Sequence, residues 1–388
     1  MRKVRAPLFP VVTPRDLNGV LNTYPLTTRQ SLDGFREYGD AINAEHNATY
    51  FGGGQNEIVN GNFFINQRKV GNVAAGATGI NRTADAWTMY SVGTTYASSL
   101  PDFTRGQTEV PYDPRLYHQM VVSSVAGANN LCMLYTGFQG RVTDYAQRRV
   151  CVTFWARADA ARPISVEFWA NYGSGGGASA AEDLEPTVIQ LTTVWKKYQV
   201  FFDFPPLTGK TLAGEDDGAG ITFWFDAGSN LDALSGGLGQ QSGTFDIAEV
   251  VANIGEAEII KRRPYAQEAL LCRRLFYRCG GEDLYQSMGF GLALGNPTNT
   301  AYFSHFLPAP MRKSPSLTVN NIANIAITDT GPSTITPTSI TMVDVLGTTQ
   351  TAMTIIATVS AMSGMITGAA YLSANNSLAG SLDFSAEW

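Results

Sequence analysis

Along most of this chain apolar residues recur at every second position, the spacing of strands that bury one face. Between residues 57 and 261 the alternation predicts strands over 57–66, 85–92, 117–124, 131–138, 149–158, 163–171, 186–192, 195–204, 220–227 and 244–252. The connecting segments are rich in Gly, Asp and Ser, notably 173–177 and 235–243. Short strands joined by turns, with no helices between them, point to a jelly-roll β-sandwich, and the chain as a whole to a predominantly all-β class. The pattern changes at 264–279. Pro264 suits the first turn of a helix, Ala269, Leu270, Arg273, Leu275, Phe276 and Tyr277 follow at helical density, and Gly280 and Gly281 end it. Strand-like runs resume at 286–294, 300–307, 316–319, 322–328, 339–345, 353–359, 364–372 and 380–387.

The first residues read differently. Pro7, Pro10, Pro14 and Pro25 leave little periodicity, so an extended arm is expected. A short helix over 28–47 carries Leu32, Phe35, Tyr38 and Ile42 at threes and fours, and 51–54 reads as a hinge. Four parts follow: an anchoring arm with a short helix over 1–54, a jelly-roll sandwich over 55–263, a closing helix over 264–281, and a C-terminal β-unit over 282–388. From Gly291 onward the only charged residues are Arg312, Lys313, Asp329, Asp344, Asp383 and Glu387. Strands so poor in charge resist edge pairing badly, so this unit is expected to oligomerise, with a homotrimer the preferred assembly.

Composition strengthens the β reading. Charged residues make up 15% of the 388, below the usual ~25%, while 39 glycines and 18 prolines supply turns. A net charge of −6 argues against nucleic acid as the partner, since gripping phosphates needs clustered Lys and Arg. The four cysteines (Cys132, Cys151, Cys272, Cys279) form no CxxC or Cys/His cluster and are expected to stay free thiols. Cys272 and Cys279, seven apart in the helical pattern, are expected on one helix face. Residues 1–10 are basic but lead into proline without an apolar core, and no run approaches the ~20 apolar residues of a membrane span, so neither export by the usual route nor membrane insertion is expected.

Several runs carry a resemblance. They are Val59-Asn-Gly-Asn-Phe-Phe-Ile-Asn-Gln67, Thr83-Ala-Asp-Ala-Trp87, Val152-Thr-Phe-Trp-Ala-Arg157, Val194-Trp-Lys-Lys-Tyr198, Phe245-Asp-Ile-Ala248 and the stretch from Arg263 to Tyr277. In this order they resemble the sandwich module of bacteriophage tail-fibre and spike proteins, which is similar to jelly-roll carbohydrate-binding modules. Phe306-Leu-Pro-Ala-Pro-Met-Arg312 and Leu382-Asp-Phe-Ser-Ala-Glu387 are similar to the terminal β-unit that often accompanies it. The first fifty residues match nothing in that pattern. The resemblance implies a virion appendage that attaches to host surface polysaccharide without catalysis. Residues 1–50 would contact other virion proteins.

Strand parity locates the candidate site. In the runs around 155, 169 and 224, one face is aliphatic and phenylalanine while the other mixes tryptophan with polar groups. Trp155, Trp169 and Trp224, with Arg157, Glu167, Asn171 and Asp226, are therefore expected to line one glycan groove, aromatic rings meeting sugar C–H faces and polar groups meeting hydroxyls. The competing expectation is that a loop, the arm or a neighbouring subunit covers the tryptophans. One groove requires all three on one layer of the sandwich.

Catalysis is not expected. Glu167 and Asp226 could form a glycosidase pair, but acidic residues on a polar sheet face are more often hydrogen-bonding groups. His46, His118 and His305 fall in different predicted units, and no nucleotide, zinc or hydrolase motif is present. No cofactor is expected; Asp216 and Asp217 offer carboxylates to a structural calcium, with solvated charge the preferred reading. The alternatives to host attachment are a purely structural adaptor, collar or capsid-decoration protein and, third, a capsule depolymerase.

Overall fold

The computed structural model describes residues 56–255, 262–294, 300–329, 334–342, 352–358, 368–374 and 380–387. The predicted arm, short helix and hinge lie outside the described residues. Asn56–Trp388 forms one compact unit, and its described part is mostly antiparallel β-sheet arranged as a sandwich.

The sandwich is a single ten-stranded sheet folded over itself. Its strands are β1 (Val73–Asn81), β2 (Thr88–Ser99), β3 (His118–Ser123), β4 (Leu131–Gly137), β5 (Arg149–Ala158), β6 (Arg162–Asn171), β7 (Glu182–Leu191), β8 (Lys196–Asp203), β9 (Gly218–Ala227) and β10 (Gly243–Ile254). They run in the order β7-β6-β9-β4-β2-β3-β10-β5-β8, with β1 also paired to β2. β2 is the corner. Thr88–Gly93 pairs with β4 and Thr95–Ser99 with β3, and the register slips at Gly93, whose φ of +70° lets the strand bend. Two layers diverge from that corner. Phe154 of β5 and Phe223 of β9 meet edge to face between them, 5.0 Å apart. Around this pair the core gathers Trp87, Val152, Phe168, Ile221, Phe225 and Phe245, all buried. Burying each such aromatic side chain stabilises by roughly 1.5–3 kcal/mol.

A second core lies in the C-terminal region, around Met288, Phe303, Ile325, Leu372 and Phe384. Here β11 (Phe276–Gly280), β20 (Ser381–Ser385) and β14 (Ser316–Asn320) form a three-stranded sheet in the order β11-β20-β14. The remaining strands are β12 (Ser287–Leu294), β13 (Thr300–Phe306), β15 (Ile325–Asp329), β16 (Thr334–Ile335), β17 (Ser339–Met342), β18 (Ala352–Thr358) and β19 (Gly368–Ala374). They form a seven-stranded sheet in the order β16-β15-β19-β12-β13-β18-β17.

Three local expectations are corrected. Residues 57–66 are not a strand: Asn60 and Phe63 take positive φ, and the Asn60 side chain donates to the Ile65 and Asp85 carbonyls and accepts from Ile65 N–H. A side chain supplying those bonds replaces a β ladder. β1 was absent from the expectation because its run of Ala and Gly alternates no large apolar groups. The helix predicted over 264–279 ends at Arg273, and Phe276–Gly280 becomes a strand because β20 pairs with it, from Phe276 opposite Ser385 to Gly280 opposite Ser381. Cys272 is thus helical and Cys279 extended; neither the shared helix face nor the spacing argument holds. All four cysteines are buried and free. Among the described residues, no helix is long and apolar enough to cross a membrane.

Candidate functional site

The outer face of the β6-β9-β4-β2 layer carries a trough of about 760 Å³, within the size range of small-molecule sites. Its floor follows from register. Glu167, Thr222 and Tyr135 stand in one row across β6, β9 and β4, and Trp224, Met133 and Tyr90 in another across β9, β4 and β2. Trp169 lies beside Gly220, and a Cβ there would sit 2.2 Å from the indole Cζ2. The missing side chain is what lets the indole lie flat over β9. Half-buried Trp169, Tyr90 and Tyr135 supply ring surface, while Asn171, Asp183 and Lys313 line the trough with polar groups.

Glu167 is 2% exposed. One carboxyl oxygen accepts from Trp224 Nε1 at 2.5 Å, and the other has no hydrogen-bond partner among the described residues. Burial pushes its pKa up to about 8; the Trp224 bond opposes this and the neighbouring Asp183 adds to it. Glu167 therefore favours the neutral acid at pH 7, and it lies buried beneath the trough floor beside Asp183.

The structure divides the seven expected residues. Glu167, Trp169, Asn171 and Trp224 line the trough. Trp155 and Arg157 do not join them: their strand, β5, belongs to the opposite layer, with β4, β2, β3 and β10 between it and β9 along the sheet. Phe154 and Phe223 point inward at each other, so the opposite-parity Trp155 and Trp224 point outward on opposite sides. The single groove with three tryptophans is therefore not formed. Trp155 packs with Phe103, Val110 and Trp195, and Arg157 donates to Asp246 at 2.8 Å with its guanidinium 4.8 Å over the Trp195 ring. Asp226 is fully buried and accepts from Thr94, Ser124 and the Gln241 N–H, so it pins loops and lies outside the trough lining. Trp224, though in the trough wall, is 3% exposed because Leu231, Leu234 and Leu238 of the following loop fold over it. Trp224 is thus buried, while Trp155 and Trp169 are each half-buried, on opposite layers.

Sequence reasoning missed Tyr90, Tyr135 and Asp183. The parity of 131–138 and 85–92 carried a signal for the tyrosines. Asp183 fell outside the predicted strand 186–192, and Lys313 and Arg312 reach the trough from a distant stretch of chain with no local cue. Asp216 and Asp217 are engaged within the protein: Asp216 accepts from Ser174 N–H, and Asp217 from Val142 N–H and the Arg141 guanidinium. Among the described residues, no group of three or more His, Cys, Asp or Glu is placed to hold a metal ion.

The fold and trough define a β-sandwich with an aromatic, polar-rimmed depression on one outer face. No family model matches the chain, and no curated protein matches it. Solved structures similar to it include the enzymatically active domain of tailspike protein 4 from bacteriophage CBA120, at 13% identity and a TM-score of 0.30. That match covers 52% of this chain, and the chain spans 21% of the length of that tailspike structure. A family 11 carbohydrate-binding module from Clostridium thermocellum, in complex with a mixed-linked β-1,3-1,4 tetrasaccharide, matches at 14% identity and a TM-score of 0.29, covering 47% of this chain and 99% of the module. A CBM4 structure matches at 14% identity and a TM-score of 0.28, covering 50% of this chain and 98% of its own. Likenesses at such TM-scores carry no argument about the site.

Proposed function

We propose that the chain is a non-catalytic, carbohydrate-binding subunit of a bacteriophage fibre or spike that attaches the particle to host surface polysaccharide. The carrying observation is the trough. One half-buried indole, two half-buried tyrosines and rim groups of both charges suit a sugar ring better than an apolar ligand. The virion assignment is supported by the ordered runs from Val59 to Tyr277 that resemble tail-fibre and spike modules. Assembly as a homotrimer is supported by the seven-stranded sheet, whose outward Phe290, Leu292, Phe306 and Tyr371 are roughly half exposed or more, on a face with few charges.

Titration of the full chain against host capsular and lipopolysaccharide glycans tests the trough. Trp169→Ala is expected to weaken binding about tenfold, from the lost ring contact. Unchanged affinity in a folded variant removes the trough from the function. Sedimentation at three times 41.8 kDa supports the trimer.

A second reading is favoured by the packing of Trp155 and Trp224: a purely architectural adaptor, collar or decoration protein. It calls for silence on a glycan array together with lost particle assembly on deleting residues 1–50. Sugar release from host capsule would instead support a depolymerase.

A further inference from the structure

A second depression, of about 510 Å³, opens where the loop around Phe64, the helix Tyr265–Arg273 and strand β11 meet. It shares no lining residue with the trough. Its charge is lopsided. Arg115, Arg273 and Arg278 face one carboxylate, Glu282. Arg278 is occupied by a two-point pair with Asp383 at 2.6–2.7 Å, and Glu282 is answered by Lys69 at 3.1 Å. Arg115 meets Asp102 only at 3.4 Å, in an exposed pair that holds it weakly. Arg273 is exposed and makes no hydrogen bond or ion pair with any described residue. Two guanidinium groups therefore stand without strong carboxylate partners at one opening.

The apolar part of the cleft is aromatic. Phe64 and Tyr265 are 37% and 63% exposed, and their rings meet edge to face at 5.6 Å, while the Arg115 guanidinium lies 4.8 Å over the Phe64 ring. Aromatic rings left in solvent next to unanswered cations present both a C–H-binding surface and a planar fork for an anion. Asn66 also lines the cleft; its amide N–H donates to the Val70 carbonyl at 2.7 Å and its oxygen is buried.

We propose that this cleft is a second binding site, for a carboxylate-bearing sugar residue: a uronate of an acidic polysaccharide. One uronate supplies both things the cleft asks for. Its carboxylate meets the Arg273 and Arg115 forks, and its ring C–H face lies on Phe64 and Tyr265. An acidic peptide offers the carboxylate without the hydroxyl-bearing ring, and a bare phosphate leaves the aromatic rings unused. The site is independent of the trough and does not rest on sugar binding there.

The test is calorimetric titration of the full chain with galacturonate, glucuronate and mannuronate trisaccharides, with their methyl esters, and with a hexaglutamate peptide. At least one acid trisaccharide is expected to bind, more weakly as salt is raised, and its ester to bind at least about tenfold more weakly. Arg273→Gln and Tyr265→Ala, both at exposed positions and checked by thermal melting, are each expected to weaken it about tenfold or more. Trp169→Ala is expected to leave it unchanged. The proposal is overturned if no acid trisaccharide binds, if ester and acid bind alike, or if the peptide binds more tightly than every sugar. Loss with Trp169→Ala and retention with Arg273→Gln would move the ligand to the trough and equally overturn it.

Discussion

Glu167 stands two residues before Trp169 on β6, and water reaches almost none of it. In the unfolded chain its carboxyl has the ordinary value of 4.5; folded, burial raises it to about 8. Between those two values the folded state holds a proton that the unfolded state has released. The contribution therefore favours unfolding increasingly as pH rises from about 4.5 to about 8, and levels off above. Glu167→Gln removes the titration. The variant is expected to be more stable than the parent at pH 9, by roughly 3 kcal/mol, with a smaller difference at pH 5. Urea unfolding at both values measures it; an equal difference at both would sink the idea. That Glu167, Trp169 and Trp224 share an outward face was legible from parity. Their burial was not, because the three leucines that cover Trp224 lie on the helical turn and loop after β9, whose fold-back no alternation encodes.

At the scale of the element, β9 is the instructive strand. All ten of its residues are buried, although its sequence alternates like a half-exposed strand. Its inner face meets the core and its outer face is roofed by Trp169 on one side and the leucine loop on the other. Gly220 is where the roof touches. A methyl group there would meet both the Trp169 indole and the Thr136 carbonyl oxygen at 2.3 Å or less. The indole can swing away and the backbone oxygen cannot, so Gly220→Ala is expected to cost about 1–3 kcal/mol of stability and to tilt Trp169 out of the trough. Calorimetric melting reads the first effect and quenching of tryptophan emission by added glycan the second; a variant with parental melting and quenching would contradict this account. The short strand β11 teaches the converse. Its Phe276 to Cys279 run fits a helix by period alone, and only pairing with β20, more than a hundred residues away, makes it extended.

At the scale of the molecule, specific polar links join the sandwich to the C-terminal sheets. The Arg312 side chain donates to the Asp216 and Asp217 carbonyls, Ala386 N–H donates to the Leu275 carbonyl, and Glu387 pairs with Arg68 and Arg82. Arg278 joins β11 to β20 through Asp383 and also donates to the Arg68 carbonyl. Arg278→Ala leaves a largely buried carboxylate without its cation. It is expected to cost about 2–4 kcal/mol and to make the chain between β11 and β20 more open to limited proteolysis, while the sandwich stays resistant. Equal protection in variant and parent would show that the pair does not hold β11 to β20.

Alternation alone determined the β class, the inward and outward faces of the central strands and the closing helix as far as Arg273, because those follow from backbone geometry and local spacing. The tertiary structure alone decided which outward faces share a surface. A sheet that bends at β2 sends identical alternation to opposite sides of the molecule, so Trp155 and Trp169 carry the same local pattern and look out from different layers. Which strand lies across the bend of a folded sheet is a matter of long-range pairing, and no period of two contains it.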